Sequence, residues 1–323
     1  MTTASLSDEL HQDLPAYVVK MLLKNRIGTV YDFVRADTDR LLRITNLSFE
    51  VLSAIKRDFM TRCSGTTVRV GEYFQYLGEL IDPIPTGVRG LDALLQGGLL
   101  PGHVLEVFGE PACGKSQLCM TIAANVASRG AADPVDVFYV DTKCDFSASR
   151  VQSMLLAGKC SEEEAREAMQ RIKVERIHSP EHLLGTVEEM LAQIDQEERF
   201  GKFRVLLVDS LPALWYAHQN SSSSCYPVGM LTSLAGLLRK LASENMIAVV
   251  VVNLRIVSTD SGQQRVTQPA LGRYWEMVPT TRLLMSKLDS GDNGQNRLIS
   301  ISKCNYLKTD DRQMVTLTER GVV

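Results

Sequence analysis

The chain has 323 residues, 45% hydrophobic and 23% charged, with 35 Lys and Arg against 38 Asp and Glu for a net charge of −3. These values suit about two globular domains, and they exclude a disordered chain, a collagen-like fibre and a small disulfide scaffold. No apolar run reaches the ~18 residues of a membrane span, and the charge balance excludes a broad basic face for nucleic acid, so any DNA contact is expected to be local.

Met1 to Leu10 lacks a signal-peptide core, so secretion is not expected. The cysteines, Cys63, Cys113, Cys119, Cys144, Cys160, Cys225 and Cys304, are odd in number and scattered, with no C-x-x-C pair. That pattern supports neither a zinc site nor a disulfide framework, and points to the cytosol or nucleus.

Leu6 to Arg62 reads as short helices, with apolar residues three and four apart at Val18, Val19, Leu22 and Leu23, then Val30, Phe33 and Val34, then Leu41 and Leu42, then Leu47, Val51, Leu52 and Ile55. Asn25, Gly28, Asp37 and Asn46 supply turn and cap chemistry between them. This predicts a helical domain over residues 1–62. From Thr61 to Val70 the periodicity gives way to Ser, Gly and Thr, and a linker is expected over 63–83.

Beyond Ile84 strands and helices alternate. Expected strands are His103–Gly109, Val135–Asp141, Arg171–Ile177, Phe203–Asp209, Ile247–Asn253, Thr281–Lys287 and Arg297–Lys303. Runs such as Val249–Val252 suit strands buried on both faces. Expected helices are Ser116–Ser128, Ser147–Leu156, Ser161–Gln170, Glu181–Glu198 and Val228–Glu244. The alternation predicts an α/β core over 84–323, a mostly parallel doubly wound sheet.

Gly109-Glu-Pro-Ala-Cys-Gly-Lys115-Ser116 fits G-x-x-x-x-G-K-[ST] in full, between an expected strand and an expected helix. Glycines let backbone N–H groups wrap phosphates, and the helix N-terminus adds its positive end. The nucleotide-binding set is Gly109, Glu110, Pro111, Ala112, Cys113, Gly114, Lys115, Ser116 and Gln117. Lys115 would reach the β- and γ-phosphates of ATP, and Ser116 would hold Mg2+. Asp209, ending an apolar strand, would hold the same ion through water. A thiol reagent at Cys113 is expected to block nucleotide binding.

The stretches TGVRGLDALLQGGLLPGHVLEVFGEPACGKSQLC, FYVDT, VLLVDS and PALGRYWEMVPTTRLL resemble the RecA-type strand-exchange recombinases, nearest to their eukaryotic paralogues of the D type. The resemblance covers essentially the whole chain. It implies a RecA-type P-loop ATPase core behind a small all-α domain. It also implies an ATP- and Mg2+-binding subunit that joins C-type and X-ray-cross-complementing paralogues on single-stranded DNA. Such a subunit would be nuclear and would promote the main recombinase filament in homologous-recombination repair of double-strand breaks.

Four positions depart from that family's pattern. Lys143 stands where active members carry a glutamate that handles the attacking water; an ammonium cannot accept that proton, so weak DNA-stimulated hydrolysis at most is expected. Asp145 is a weaker candidate for the role. Leu254 replaces a γ-phosphate-sensing amide next to Asn253 and cannot hydrogen-bond. Phe74-Gln-Tyr-Leu77 is the nearest match to the F-x-x-A docking strand, and its leucine argues against long homofilaments. Ile44-Thr-Asn46-Leu-Ser48 occupies the helix–hairpin–helix turn without glycine, although Asn46 can take the left-handed conformation.

DNA loops are expected at Trp215–Pro227 and Arg255–Pro269, with Arg255, Arg265 and Arg273 for phosphates and Trp215, Tyr216 and Tyr226 for bases. Packing is the competing role for Trp215. His103 and His178 read as packed rather than catalytic, and Glu162–Glu164 as acids favouring a helix start. Two other functions stay open at this stage: an autonomous strand-exchange ATPase, and a scaffold without nucleotide function. A ring helicase is a remote third.

Overall fold

Short polar residues set the boundaries of the first helices. The structure, a computed structural model, describes residues 5–63, 69–72, 82–129, 134–194, 203–216, 225–259, 265–288 and 294–323. It divides into two compact units, Met1–Phe74 and Gln75–Val323. Phe74 and Leu77 and most of the expected linker lie outside the described residues.

The first unit contains α1 (Ala16–Lys24), α2 (Val30–Arg35), α3 (Thr38–Thr45) and α4 (Phe49–Cys63). Thr29 and Asp32 form a capping box that starts α2, and Asp37 accepts from Arg40 N to start α3. Asn46 ends α3 at φ 58°, the left-handed conformation expected of it. Leu14, Leu22, Phe33, Leu41, Leu52 and Ile55 are fully buried, and Phe33 meets Phe59 edge-on at 5.7 Å. Truncating one such leucine to alanine would cost about 2–5 kcal/mol.

The second unit contains α5 (Arg89–Leu94), β1 (Val104–Gly109), α6 (Lys115–Ala127), β2 (Asp136–Asp141), α7 (Ala148–Ala157), α8 (Glu162–Gln170), β3 (Ile172–Arg176) and α9 (Pro180–Ile194). It continues with β4 (Phe203–Asp209), α10 (Leu211–Tyr216), α11 (Cys225–Asn245), β5 (Ala248–Thr259), β6 (Arg265–Pro269), α12 (Gly272–Glu276), β7 (Thr281–Lys287), β8 (Asn296–Cys304), β9 (Arg312–Thr318) and β10 (Gly321–Val322). The sheet order is β10-β9-β8-β7-β1-β5-β4-β2-β3, with β6 paired to β5. Strands β3, β2, β4, β5, β1 and β7 run parallel; β8, β9 and β10 continue the sheet antiparallel.

The apolar runs are buried on both faces because helices cover both. Val205, Leu207, Val250 and Val252 face the core under α6, α7 and α8, and Leu206, Val208, Val249 and Val251 face the one under α9 and α11. The C-terminal ends of β1, β2 and β4 therefore open on one crevice, where open α/β sheets bind ligands. Ser161 and Glu164 form the capping box of α8, with Glu162 and Glu163 in its first turn.

Three expectations need correction. The second DNA segment is not an open loop: Arg255–Thr259 of β5 pairs antiparallel with Arg265–Pro269 of β6. The ladder is built from backbone groups, so polar side chains do not prevent it. β9 and β10 went unforeseen because β9 has one fully buried anchor, Val315, and so little alternation. His178 is exposed rather than packed, whereas His103 packs edge-on against Tyr306 at 5.4 Å.

Candidate functional site

The phosphate-loop motif forms the turn between β1 and α6. Gly114 has φ +103°, a conformation that side chains resist, and a Cβ on Gly109 would stand 2.1 Å from Met285 O. Lys115 opens α6 and is buried. Its Nζ donates to Gly109 O at 2.9 Å and Glu110 O at 2.7 Å. Burial pushes its pKa below the ordinary lysine value, against the pull of the neighbouring Cys113 and Asp209 charges. Gly114, Lys115, Ser116, Gln117 and Pro111 line a cleft of about 570 Å³, with Leu254 on its apolar side. Gln117 Oε1 also accepts from Arg150 Nε at 3.0 Å, and Arg150 in turn donates to Thr318 O and Glu319 O.

Cys113 has no exposed surface, so the folded loop shields it from the thiol reagent expected to block nucleotide binding there. Among the described cysteines, Cys144 is the exposed one, and it follows the cleft-lining Lys143 in the chain.

Asp209 ends β4 at the same crevice, 1% exposed. Its Oδ2 accepts from Tyr139 Oη at 2.9 Å. Burial, with the nearby Cys119 and Asp209 charges, holds the Tyr139 pKa far above its usual value, so this phenol stays a donor. Asp209 Oδ1 is buried without an aligned hydrogen bond. Ser116 Oγ and this carboxylate are the oxygen donors that suit a hard cation such as Mg2+.

Lys143 lies between them. Its Nζ donates to Ser116 Oγ at 3.2 Å, and pairs with Asp209 Oδ1 at 3.2 Å and Asp145 Oδ2 at 3.3 Å. Burial pulls the Lys143 pKa down, but the Asp209 and Asp145 carboxylates outweigh it and leave the net shift upward. The group is an ammonium, not a base. The turn that carries it is fixed by Asp141, whose carboxylate accepts from the backbone N–H groups of Lys143, Asp145 and Phe146.

Behind the cleft lies a buried polar cluster that sequence reasoning missed. Glu106 of β1 is fully buried. Its carboxylate accepts from Asn253 Nδ2 at 2.6 Å, Trp275 Nε1 at 2.7 Å and Arg282 Nε. Asn253 also donates to Ala270 O at 3.0 Å. The residues of PALGRYW and TTRL thus meet one carboxylate. A lone acid in the apolar run VLEVF was the signal available.

Arg255 Nη1 pairs with Glu110 Oε1 at 3.0 Å, so it is engaged at the phosphate loop rather than free for DNA. Arg273 is exposed on α12, and Arg265 opens β6, its side chain outside the described residues. Trp215 is buried and packs, whereas Tyr216 is exposed and lines the cleft. Residues 217–224 and the Tyr226 side chain lie outside the described residues.

Comparison with known proteins adds the family. The Rad51 profile matches residues 79–323, and the profile of the RAD51D N-terminal domain matches residues 3–61. DNA repair protein RAD51 homolog 4 of Bos taurus is 33% identical over 321 residues, covering 98% of this chain and 95% of that one. The Mus musculus homolog 4 is 31% identical over 307 residues, covering 94% and 91%. A crystal structure of the RadB recombinase shares the fold at TM-score 0.60 and 22% identity, covering 74% of this chain and 98% of that one. With a core of one kind and an N-terminal unit of the other, this chain belongs to the Rad51 family of RecA-type recombinases, on its RAD51D branch.

Proposed function

We propose that the chain is an ATP-binding subunit of a recombinase-paralogue assembly acting in homologous-recombination DNA repair in the nucleus. The observation that carries this is a complete phosphate loop whose Lys115 and Ser116 line a cleft together with Lys143, an ammonium paired with Asp209 where, by family likeness, active members carry a glutamate. The loop's N–H groups and Lys115 bind the phosphates and fix their orientation. Ser116 and Asp209 carry the oxygens between which Mg2+ would be expected by family likeness, and the Lys143 ammonium already stands within 3.2 Å of both. Lys143 cannot take a proton from water, so hydrolysis is slow and the bound nucleotide acts as a structural clamp.

By family likeness the partners are other paralogues, of the C type and the X-ray-cross-complementing type, and single-stranded DNA. Arg273 and Arg265 are the DNA candidates, with Arg255 available only after it leaves Glu110. Homolog 3 of Cricetulus griseus, 28% identical over 263 residues, is also named a DNA repair protein. Lys115→Ala tests the reading: ATP affinity by calorimetry should fall about tenfold or more. An unchanged affinity would remove the phosphate loop from the account and favour the scaffold.

A further inference from the structure

Lys143 does more than remove a base. Its Nζ stands 3.2 Å from Ser116 Oγ and 3.2 Å from Asp209 Oδ1, the two oxygens best suited to a metal ion beside the phosphates. Asp209 is nearly inaccessible, Tyr139 occupies its other oxygen, and Oδ1 makes no aligned hydrogen bond, so this buried negative charge needs a cation. The ammonium meets it.

The lysine is also well placed to stay. Asp141 accepts three backbone N–H groups of the turn, at 3.2, 3.1 and 3.1 Å, which fixes the point from which the side chain reaches. Asp145 Oδ2, at 3.3 Å, adds a second carboxylate to the ammonium. A divalent ion seeking Ser116 and Asp209 would meet a positive group already between them. Like charges at that range repel each other. Lys115 and Lys143 both line the cleft, so two ammonium groups border the space beside the phosphate loop.

We propose that Lys143 is the resident cation of this site: its ammonium replaces Mg2+ between Ser116 and Asp209, so that a nucleoside triphosphate binds with little dependence on divalent ions. This rests on the phosphate-loop reading above and deepens it.

The test is calorimetric affinity for ATP, in excess magnesium and in excess chelator, for the full chain and for Lys143→Ala. Wild type should hold its affinity within about threefold between the two conditions, whereas the variant should lose about tenfold or more in chelator and regain it with magnesium. Lys143→Met keeps most of the apolar stem and Lys143→Arg keeps the charge. The first should behave as the alanine variant and the second as wild type. A wild-type protein that loses about tenfold or more in chelator overturns the proposal. So does a methionine variant that stays independent of magnesium. Absence of ATP binding by wild type in both conditions overturns the phosphate-loop reading itself, and the proposal with it.

Discussion

Arg255 Nη1 lies 3.0 Å from Glu110 Oε1, which ties the start of the β5–β6 ribbon to the second residue of the phosphate loop. The pair is partly exposed, so it is worth about 0–1 kcal/mol of stability. Its importance is positional: under the proposed function, the arginine that would meet a phosphate of DNA is held at the loop. Glu110→Gln removes this ion pair and, under the proposed function, should steepen the salt dependence of single-stranded DNA binding by about 0.7 in log–log slope, one added phosphate contact. Anisotropy titrations over a salt series measure this. An unchanged slope would mean that the released arginine reaches no phosphate.

The cluster around Glu106 makes a larger prediction. Arg282, itself buried, is the charge partner of this fully buried carboxylate. Arg282→Met leaves the carboxylate without a cation and should cost about 3–5 kcal/mol in denaturant unfolding, because a broken buried pair strands the remaining charge. A loss below about 1 kcal/mol would mean that Asn253 and Trp275 satisfy Glu106 by themselves.

The parts legible in the sequence are those where backbone chemistry demands particular residues. Gly109 and Gly114 are needed because a Cβ would strike Met285 O or resist a positive φ, so the phosphate loop is visible as a motif. The parallel core is visible because strands such as β5 are buried on both faces and read as unbroken valines. Asn46 was readable as a left-handed position because few other residues tolerate one. The β5–β6 ribbon was not, since its ladder uses backbone groups common to every residue. Lys143 was readable as a missing base, but not as a bridge from Ser116 to Asp209. A side chain's direction depends on the Asp141-capped turn beneath it.

The cysteines give a chemical test of the loop. Cys113 is fully buried at 3.6 Å from Lys115 Nζ, and Cys144 is exposed next to Lys143. A maleimide under native conditions should therefore modify Cys144 well before Cys113, as read by peptide mass mapping against time. Only denaturant should bring Cys113 to a comparable rate. Early modification of Cys113 would show that the loop opens readily and that its burial is transient.

His103 sets an acid sensitivity whose sign follows from burial. Its Nδ1 is buried with no hydrogen-bond partner, and burial pushes the ring's pKa below the usual imidazole value. As pH falls, the unfolded chain binds this proton first, near the usual pKa of about 6.5, while the folded chain still resists it. Stability from this site is therefore fully present above that value and is lost as the pH drops through and below it. His103→Phe keeps a ring against Tyr306 and cannot titrate. Urea midpoints of the full chain at neutral and mildly acidic pH should show wild type losing more stability on acidification than this variant. Titrating carboxylates act on both proteins and cancel in the difference. Equal losses would mean that His103 takes up its proton in the folded chain as easily as in the unfolded one.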